Sequence, residues 1–260
     1  MLRVRPTIAT SRLTEDRKVF EALGMIATEE ANGWVVLDAG HGRIALRSPW
    51  GGAEPDAARQ VTFGVEIRDP EVFARRTAAD GGTASLELGA RGAKVRVTGP
   101  DGFTFLAEPT GDGATVPGAD PQLSVRMEWL TPDLPGAAAT LAAIGARPRE
   151  APPKGTPGSK TAPAETPEAP QTPGAPQTPH TPGSETAYHD FTAKNGGILA
   201  ARRSTARGCR LAFEYEGDLA AVVRRLAETG ATVSPTREGI AVVAPGGTEF
   251  TVMTPRGRML

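Results

Sequence analysis

"TGPDGFTFLAEPTG", residues 98–111, has the pattern of a strand, a tight turn and a second strand with alternating side chains. A close echo, "VAPGGTEFTVMTP", spans residues 243–255. Alternation with period two predicts half-buried strands, and the Pro/Gly pairs between them predict turns. The same hairpin placed about 145 residues apart indicates an internal repeat.

The hairpin belongs to a larger unit that occurs four times. Each unit contains a segment with the pattern of an amphipathic helix that ends at a glycine: 13–30, 69–87, 131–150 and 217–235. Each has a candidate N-cap residue: Thr14, Asp69, Thr131 or Asp133, and Asp218. A short alternating run precedes every helix, and further strand-like runs follow it. The predicted unit is therefore a strand, a helix and about three antiparallel strands.

The third unit is interrupted by residues 148–186, which are rich in Pro, Thr and Ala and have almost no large apolar side chain. Such a composition cannot repay its ordering entropy, so it predicts a disordered insertion. It falls between a helix and its following strands, which makes it a loop on one unit. We expect residues near 150–184 to be removable with little loss of stability.

The charge balance argues against a polyanionic partner. The chain of 260 residues has 29 basic and 30 acidic side chains and a net charge of −1, which disfavours nucleic acid or a membrane surface as the main partner. The single cysteine, Cys209, fits a reducing compartment. With no signal-like or membrane-spanning apolar run, the sequence predicts a soluble, cytoplasmic protein.

The stretch "VFEALGMIATEEANGWVVLDAGHGRIALRSP", residues 19–49, and the "GPDG" turn resemble the vicinal oxygen chelate superfamily. That superfamily includes glyoxalases, extradiol dioxygenases and bleomycin- and fosfomycin-resistance proteins, and this stretch is most similar to the bleomycin-resistance branch. The resemblance implies an α+β fold in which paired βαβββ modules form two curled mixed sheets, each around a cleft. The implied halves are 1–112, with modules 1–59 and 60–112, and 120–256, with modules 120–204 and 205–256.

Metal-dependent members of the superfamily place a His on the first strand of a module and a Glu on the last. The same register puts the carboxylate position at Leu106 and Thr251 here. The imidazole positions fall near Arg5, Thr62, Arg126, and Leu211 or Arg210. A small register shift brings in Glu108 or Glu249, but no His accompanies either. The resemblance therefore predicts a chain with no metal ligands and no cofactor.

Few residues suggest catalysis. His180 lies in the insertion, and His41 lies in a predicted hairpin turn. His189, beside Asp190, is either a general base oriented by a carboxylate or an ordinary strand histidine. Cys209 alternates with Leu211 and Phe213 as a core residue does.

The predicted ligand site lies on the concave faces of the sheets. Strand alternation directs the following candidate side chains there: Arg5, Trp34, Arg47, Thr62, Glu66, Arg96, Leu106, Arg126, Glu128 and His189. An arginine can bind a carboxylate or phosphate in a bidentate way, which favours an anionic or zwitterionic small molecule. Arginines beside carboxylates on neighbouring strands are equally typical of a structural salt-bridge ladder.

Three functions fit these residues. The first is a metal-free small-molecule-binding protein, as a monomer or homodimer. The second is a lyase, isomerase or dioxygenase with displaced metal ligands. The third is a protein-interaction module with filled clefts. A fold alone does not decide among them.

Overall fold

The computed structural model describes residues 1–48, 61–89, 92–110, 117–149 and 188–255. Most of the predicted insertion, and with it His180, lies outside the described residues, as does Trp50. Within these ranges, no helix is long and apolar enough to cross a lipid bilayer.

Each helix follows a strand or a broken strand and precedes three further strands. The first part of the chain contains β1 (Leu2–Val4), β2 (Thr7–Ala9), α1 (Leu13–Leu23), β3 (Ile26–Ala31), β4 (Trp34–Asp38), β5 (Arg43–Arg47), β6 (Val61–Thr62), β7 (Gly64–Ile67), α2 (Pro70–Ala79), β8 (Thr83–Gly89), β9 (Gly92–Thr98) and β10 (Thr104–Pro109). The second part contains β11 (Leu123–Thr131), α3 (Leu134–Ala143), β12 (Arg147–Pro148), β13 (Tyr188–Thr192), β14 (Ile198–Arg203), β15 (Gly208–Tyr215), α4 (Leu219–Ala227), β16 (Thr232–Thr236), β17 (Gly239–Val243) and β18 (Glu249–Met253). The predicted α+β fold class is confirmed.

Three of the four helices begin at a predicted cap. The carboxylates of Asp69, Asp133 and Asp218 each accept a hydrogen bond from a backbone N–H of the first turn. The prediction for α1 was wrong, because Thr14 lies inside that helix and Arg12 is its N-cap. Gly24 ends α1 with φ of 107°, a conformation that glycine adopts without strain.

The described strands form three mixed sheets, one of eight strands and two of five. The second part of the chain, which we call the C-terminal half (117–255), has one eight-stranded sheet in the order β12-β13-β14-β11-β15-β18-β17-β16. The N-terminal half (1–110) has two five-stranded sheets, β3-β4-β5-β2-β6 and β1-β7-β10-β9-β8. Leu2 pairs with Ile67 and Thr7 with Thr62, so one antiparallel register runs through both sheets of the N-terminal half. The two halves therefore share one strand order. The domain boundaries at 1–112 and 120–256 remain a prediction.

The two faces of each sheet have different chemistry. Val4, Val65 and Phe105 on one face join a core that also contains Trp129 and Phe213 of the C-terminal half. The residues between them on the strands, such as Arg3 and Glu66, point to the opposite face, which we call the inner face. Helix α1 packs against α4, and α2 packs against α3. The core thus lies between the halves, and the inner faces point away from it.

The two hairpins quoted above have the same turn. In residues 99–103, the Gly99 N–H donates to the Phe103 carbonyl at 2.8 Å and the Gly102 N–H donates to the Gly99 carbonyl at 3.0 Å. In residues 244–248, the same two bonds join Ala244 to Thr248 at 2.9 Å and Gly247 to Ala244 at 2.8 Å. The sequence echo therefore reflects one turn geometry used twice.

Each turn contacts the other half of the chain. Asp101 accepts hydrogen bonds from Trp129 Nε1 at 3.1 Å and from Thr131 Oγ1 at 2.6 Å. The Gly246 N–H donates to Asp16 on α1 at 2.6 Å. A Cβ atom at Gly99 would lie 2.2 Å from the Trp129 ring, and one at Gly246 would lie 2.2 Å from Thr10 Oγ1. The hairpin turns therefore hold the two halves together, and both need glycine for the close approach.

Candidate functional site

A buried ion network covers the inner face of the N-terminal half. Glu66 on β7 lies 3.2 Å from Arg43 on β5 and 3.2 Å from Arg5, which lies between β1 and β2. Arg43 also donates to Asp38 at 2.8 Å, and Arg3 lies 3.7 Å from the same carboxylate. These five side chains are almost entirely buried. Arg5 and Glu66, which were predicted as ligand-binding residues, therefore lie on the inner face in contact with opposite charge, and their binding of a ligand stays a prediction.

The network extends outward to less buried groups. Arg5 contacts the half-exposed Glu108 on β10, and its guanidinium lies 5.7 Å from the centre of the Trp34 ring. Burial raises the pKa of Glu66, although the charges of Arg43, Arg5 and Arg3 act in the opposite direction. The ion pairs therefore only partly offset the desolvation of this carboxyl group.

A second network lies on the inner face of the C-terminal half, around one guanidinium. Arg126 on β11 is 0% exposed. It donates to Glu128 at 3.1 Å, to Glu214 at 2.8 Å and to both oxygens of Asp190 at 2.6 and 3.0 Å. Burial acts to lower the pKa of Arg126, but the hydrogen bond to Asp190 and the three carboxylate charges raise it above the usual arginine value. The guanidinium is thus a permanent, fully partnered cation.

The two networks occupy equivalent places. Leu106 pairs with Gly64, and Thr251 pairs with Ala212, in parallel ladders of the two halves. Ala212 lies opposite Arg126, and the register of the N-terminal half puts Gly64 opposite Arg5. Two residues further along these strands are Glu66 and Glu214, each in an ion pair with the equivalent arginine. An arginine–glutamate pair is therefore the shared centre of the two inner faces.

The remaining predicted ligand residues are not brought together at one point. Arg96 on β9 forms an ion pair with Glu87 on the neighbouring edge strand β8, which is the arrangement of a cross-strand salt-bridge ladder. Glu128 belongs to the Arg126 network, and Leu106 is half-buried on the inner face of β10. The side chain of Arg47 on β5 has no hydrogen bond or ion pair within the described ranges, although its carbonyl accepts from the Thr10 N–H at 3.0 Å. His189 is exposed on the face opposite Asp190, since neighbouring strand residues alternate. The structure therefore does not bring His189 and Asp190 into one catalytic pair.

An open groove lies where the two halves meet beside their inner faces. One part has a volume of about 400 Å³, and its lining includes Arg210, Glu249 and Thr251. The other part has a volume of about 610 Å³, and its lining includes Thr62, Phe103 and Thr104. Val61, Cys209 and Glu249 line both parts. Volumes of this size are typical of small-molecule sites.

The groove contains two charged side chains that lie outside both ion networks. Arg210 and Glu249 are exposed, and neither side chain has a hydrogen bond or ion-pair partner in the described part of the chain. Arg210 precedes Ala212 by two residues and Glu249 precedes Thr251 by two, so continuing the register of the Ala212–Thr251 pair puts them at neighbouring positions of β15 and β18. At the equivalent positions of the N-terminal half, the groove has the neutral Thr62 and Thr104. One side of the groove is therefore zwitterionic and the other is a pair of hydroxyl groups.

Cys209 has a structural position in this groove. Its Sγ donates to the Val61 carbonyl at 3.3 Å, which joins β15 to β6 across the halves. Burial raises the pKa of the thiol, although the nearby Phe63 backbone acts in the opposite direction. A raised pKa disfavours the nucleophilic thiolate at neutral pH. The interpretation of Cys209 as a core residue is consistent with this environment.

The described residues do not fit a metal ion. No group of three or more His, Cys, Asp or Glu side chains within the described ranges is arranged to hold one. The carboxylates nearest the predicted ligand position on β11 are bound to the guanidinium of Arg126, which is itself a cation.

Comparison of this structure with solved structures identifies its fold. A 2,3-dioxygenase, LapB, from Pseudomonas sp. KL28 matches 99% of this chain and 92% of its own, with 15% identity and a TM-score of 0.58. An extradiol ring-cleaving dioxygenase from B. fuscum matches 98% and 71%, with 14% identity and a TM-score of 0.57. Homoprotocatechuate 2,3-dioxygenase from Arthrobacter globiformis matches 97% and 78%, with 16% identity and a TM-score of 0.55. The chain has the vicinal oxygen chelate fold. No family model and no curated protein matches it.

Sequence reasoning missed several charged residues on the two inner faces. Arg3, Asp38 and Glu214 complete the two ion networks but were not among the predicted ligand residues. The available signal was a charged residue at an inward position of a strand that otherwise carries apolar side chains. This pattern predicts the face of the sheet on which a charged side chain lies. The residue with which it forms an ion pair depends on the register between strands.

Proposed function

We propose that this protein is a metal-free small-molecule-binding protein with the vicinal oxygen chelate fold, and that it holds an anionic or zwitterionic ligand without turnover. One contrast carries the proposal. The charges of the two inner-face networks are bound to one another, whereas the side chains of Arg210 and Glu249 have no partner among the described residues and lie in an open groove. The ligand site is therefore assigned to the groove.

The lining defines the class of ligand. Arg210 would bind a carboxylate or a phosphate, and Glu249 would bind an ammonium group. Thr62 and Thr104 supply hydroxyl groups, and Phe103 supplies an apolar surface. A small zwitterion with an apolar substituent matches these groups. An amino acid with an apolar side chain is the simplest molecule of this class.

The organisation as four tandem βαβββ modules in two halves, 1–112 and 120–256, belongs to the same proposal. It is supported by the shared strand order, by the common hairpin turn and by the Arg5–Glu66 and Arg126–Glu214 pairs. Bleomycin-resistance-like sequestration and a cytoplasmic location are compatible with it.

The test is a thermal-shift screen followed by titration calorimetry. The probes are free apolar amino acids, their N-acetyl derivatives, which lack the ammonium group, and their amides, which lack the carboxylate. We expect the free amino acids to raise the melting temperature. Arg210→Ala and Glu249→Gln should each weaken binding about tenfold, equivalent to about 1.4 kcal/mol, because each removes one charged hydrogen bond.

The probes and variants also check which charge each residue binds. Glu249→Gln should remove most of the preference for a free amine over its N-acetyl derivative. Arg210→Ala should remove most of the preference for a carboxylate over an amide. Arg96→Ala, which breaks a ladder outside the groove, is the control and should leave affinity unchanged. If no probe raises the melting temperature, or Arg96→Ala weakens binding as much as Arg210→Ala, the groove assignment is wrong.

A ring-cleaving dioxygenase is the second candidate, because the structural matches above carry that activity in their names. Metal analysis of dialysed protein, expressed with added iron and manganese, separates the two candidates. We expect less metal than stoichiometric. Tightly held Fe, Mn, Zn or Ni at one ion per chain would overturn the metal-free proposal and favour the enzyme.

A further inference from the structure

Most outer edges of the sheets carry features that block pairing with another strand. The outer edge strands are β3, β8, β12 and β16. Strand β12 has two residues, one of them Pro148, and β16 contains Pro235. Strand β3 has an irregular register between Ala27 and Glu29 and carries exposed glutamates. Proline, bulges and charge are the usual protections of a free edge.

Strand β8 lacks these protections apart from one charged residue, Glu87, which contacts Arg96 and Lys94 of its own chain. Its register with β9 is unbroken from the Thr83–Thr98 pair to the Gly89–Gly92 pair. Its sequence, TASLELG, has no proline and no basic residue. No strand of the described part of the chain pairs with its outer side. A long and regular edge of this kind is a template for a further strand.

The same strand exposes apolar side chains. Leu86 is 45% exposed and Leu88 is 88% exposed. Val243 is the other large apolar residue exposed within the described ranges. Leu86 and Leu88 share a face with Ala84, which packs against the core. Two leucines projecting beyond the core from a free edge mark an interaction surface.

We propose that β8 pairs with β8 of a second copy of this chain, antiparallel about a twofold axis through Leu86. Each Leu86 then lies opposite the other, and Leu88 of each copy lies opposite Ala84 of the other. The patch is self-complementary, as a twofold contact requires. This inference is independent of the proposed ligand and its groove.

Charge selects this register among its neighbours. Glu87 lies on the opposite face of β8 and contacts Arg96 and Lys94 of its own chain. Pairing about Leu86 puts Glu87 opposite Ser85. Pairing about Glu87 would bring two glutamates face to face, which is unfavourable. Pairing about Ser85 would put Leu88 opposite Gly82, beyond the end of the strand. Of these three registers, only the Leu86-centred one joins the leucines and separates the carboxylates.

The first test is sedimentation of the full chain. We expect the wild-type protein to sediment with twice the mass of one chain, and Leu86→Lys and Leu88→Lys to sediment as monomers. Val243→Lys is the matched control, since Val243 is exposed but lies on β17, which pairs with a strand on each side. Circular dichroism checks that each variant is folded. A wild-type monomer at all concentrations, or a dimer that both leucine variants retain, overturns the proposal.

The second test measures the register by disulfide trapping and does not depend on destabilising variants. In a Cys209→Ser background, Leu86→Cys should form a disulfide-linked dimer on mild oxidation. Opposed residues of antiparallel strands have Cα atoms about 4.5–5.5 Å apart, within the range of about 4.4–6.8 Å that a disulfide needs. Ala84→Cys and Leu88→Cys should cross-link when mixed and poorly when alone. Equal cross-linking of all single variants, or preferential capture of an extended peptide of another protein, contradicts the pairing.

Discussion

Arg126 shows what a single buried charge contributes to this molecule. Its guanidinium is bound by Glu128, Glu214 and Asp190, and the first two carboxylates are themselves buried. Arg149 and Arg202 also contact Glu214 and Glu128, but both arginines are partly exposed. We predict that Arg126→Met lowers the free energy of unfolding by about 3–5 kcal/mol, because it removes the buried cation that these carboxylates share. Urea denaturation followed by circular dichroism measures this loss.

Two further variants separate this effect from ordinary loss of contacts. Arg126→Met combined with Glu128→Gln and Glu214→Gln should regain a large part of the lost stability, since the buried charges are removed together. Arg17→Met removes exposed ion pairs with Glu21 and Glu30 and should cost at most about 1 kcal/mol. A cost of the same small size for Arg126→Met would show that the network carries little energy.

The two hairpin turns, at residues 99–103 and 244–248, join the N-terminal and C-terminal halves. Asp101 is 9% exposed and satisfies both the Trp129 indole N–H and the Thr131 hydroxyl. We predict that Asp101→Ala lowers the free energy of unfolding by about 1–3 kcal/mol, because it leaves buried donors unpaired. Asp101→Asn keeps one acceptor and should cost less, and the exposed Asp80→Ala should have almost no effect. Equal costs for Asp101→Ala and Asp80→Ala, measured by urea denaturation, would contradict this role.

Local sequence patterns were sufficient to predict the helices, strands and turns. They were insufficient to predict which of these elements contact one another. The hairpin echo, the helix periodicity and the caps at Asp69 and Asp218 follow from short stretches, so they could be predicted. The N-cap of α1 at Arg12 could not, because its side chain makes no capping bond. Strand alternation placed Arg5 and Arg126 on the inner faces. Their neutralisation by Glu66 and Asp190 depends on long-range register, and the groove depends on how the halves pack.

The whole molecule has one apolar core to which both halves contribute. Residues of β2, β7 and β10 pack with residues of β11, β15 and β18 in that core. Backbone hydrogen bonds also cross between the halves, from Val4 to Gly196 at 3.0 Å and from Val125 to His41 at 2.8 Å. We predict that the protein unfolds in a single transition, since neither half can expose this surface alone without loss of stability. Calorimetry and tryptophan fluorescence should give coincident midpoints, and two separated transitions would contradict the shared core.

The hydrogen bond from Gly246 to Asp16 has a consequence for how the chain is made. Its two ends are separated by 230 positions, so helix α1 leaves the ribosome long before its partner is translated. Until then the Asp16 carboxylate, which is completely buried in the finished molecule, remains hydrated. Such distant contacts slow folding, since a long stretch of chain must be closed before they form. The final packing of the N-terminal half therefore follows the synthesis of the hairpin at residues 244–248.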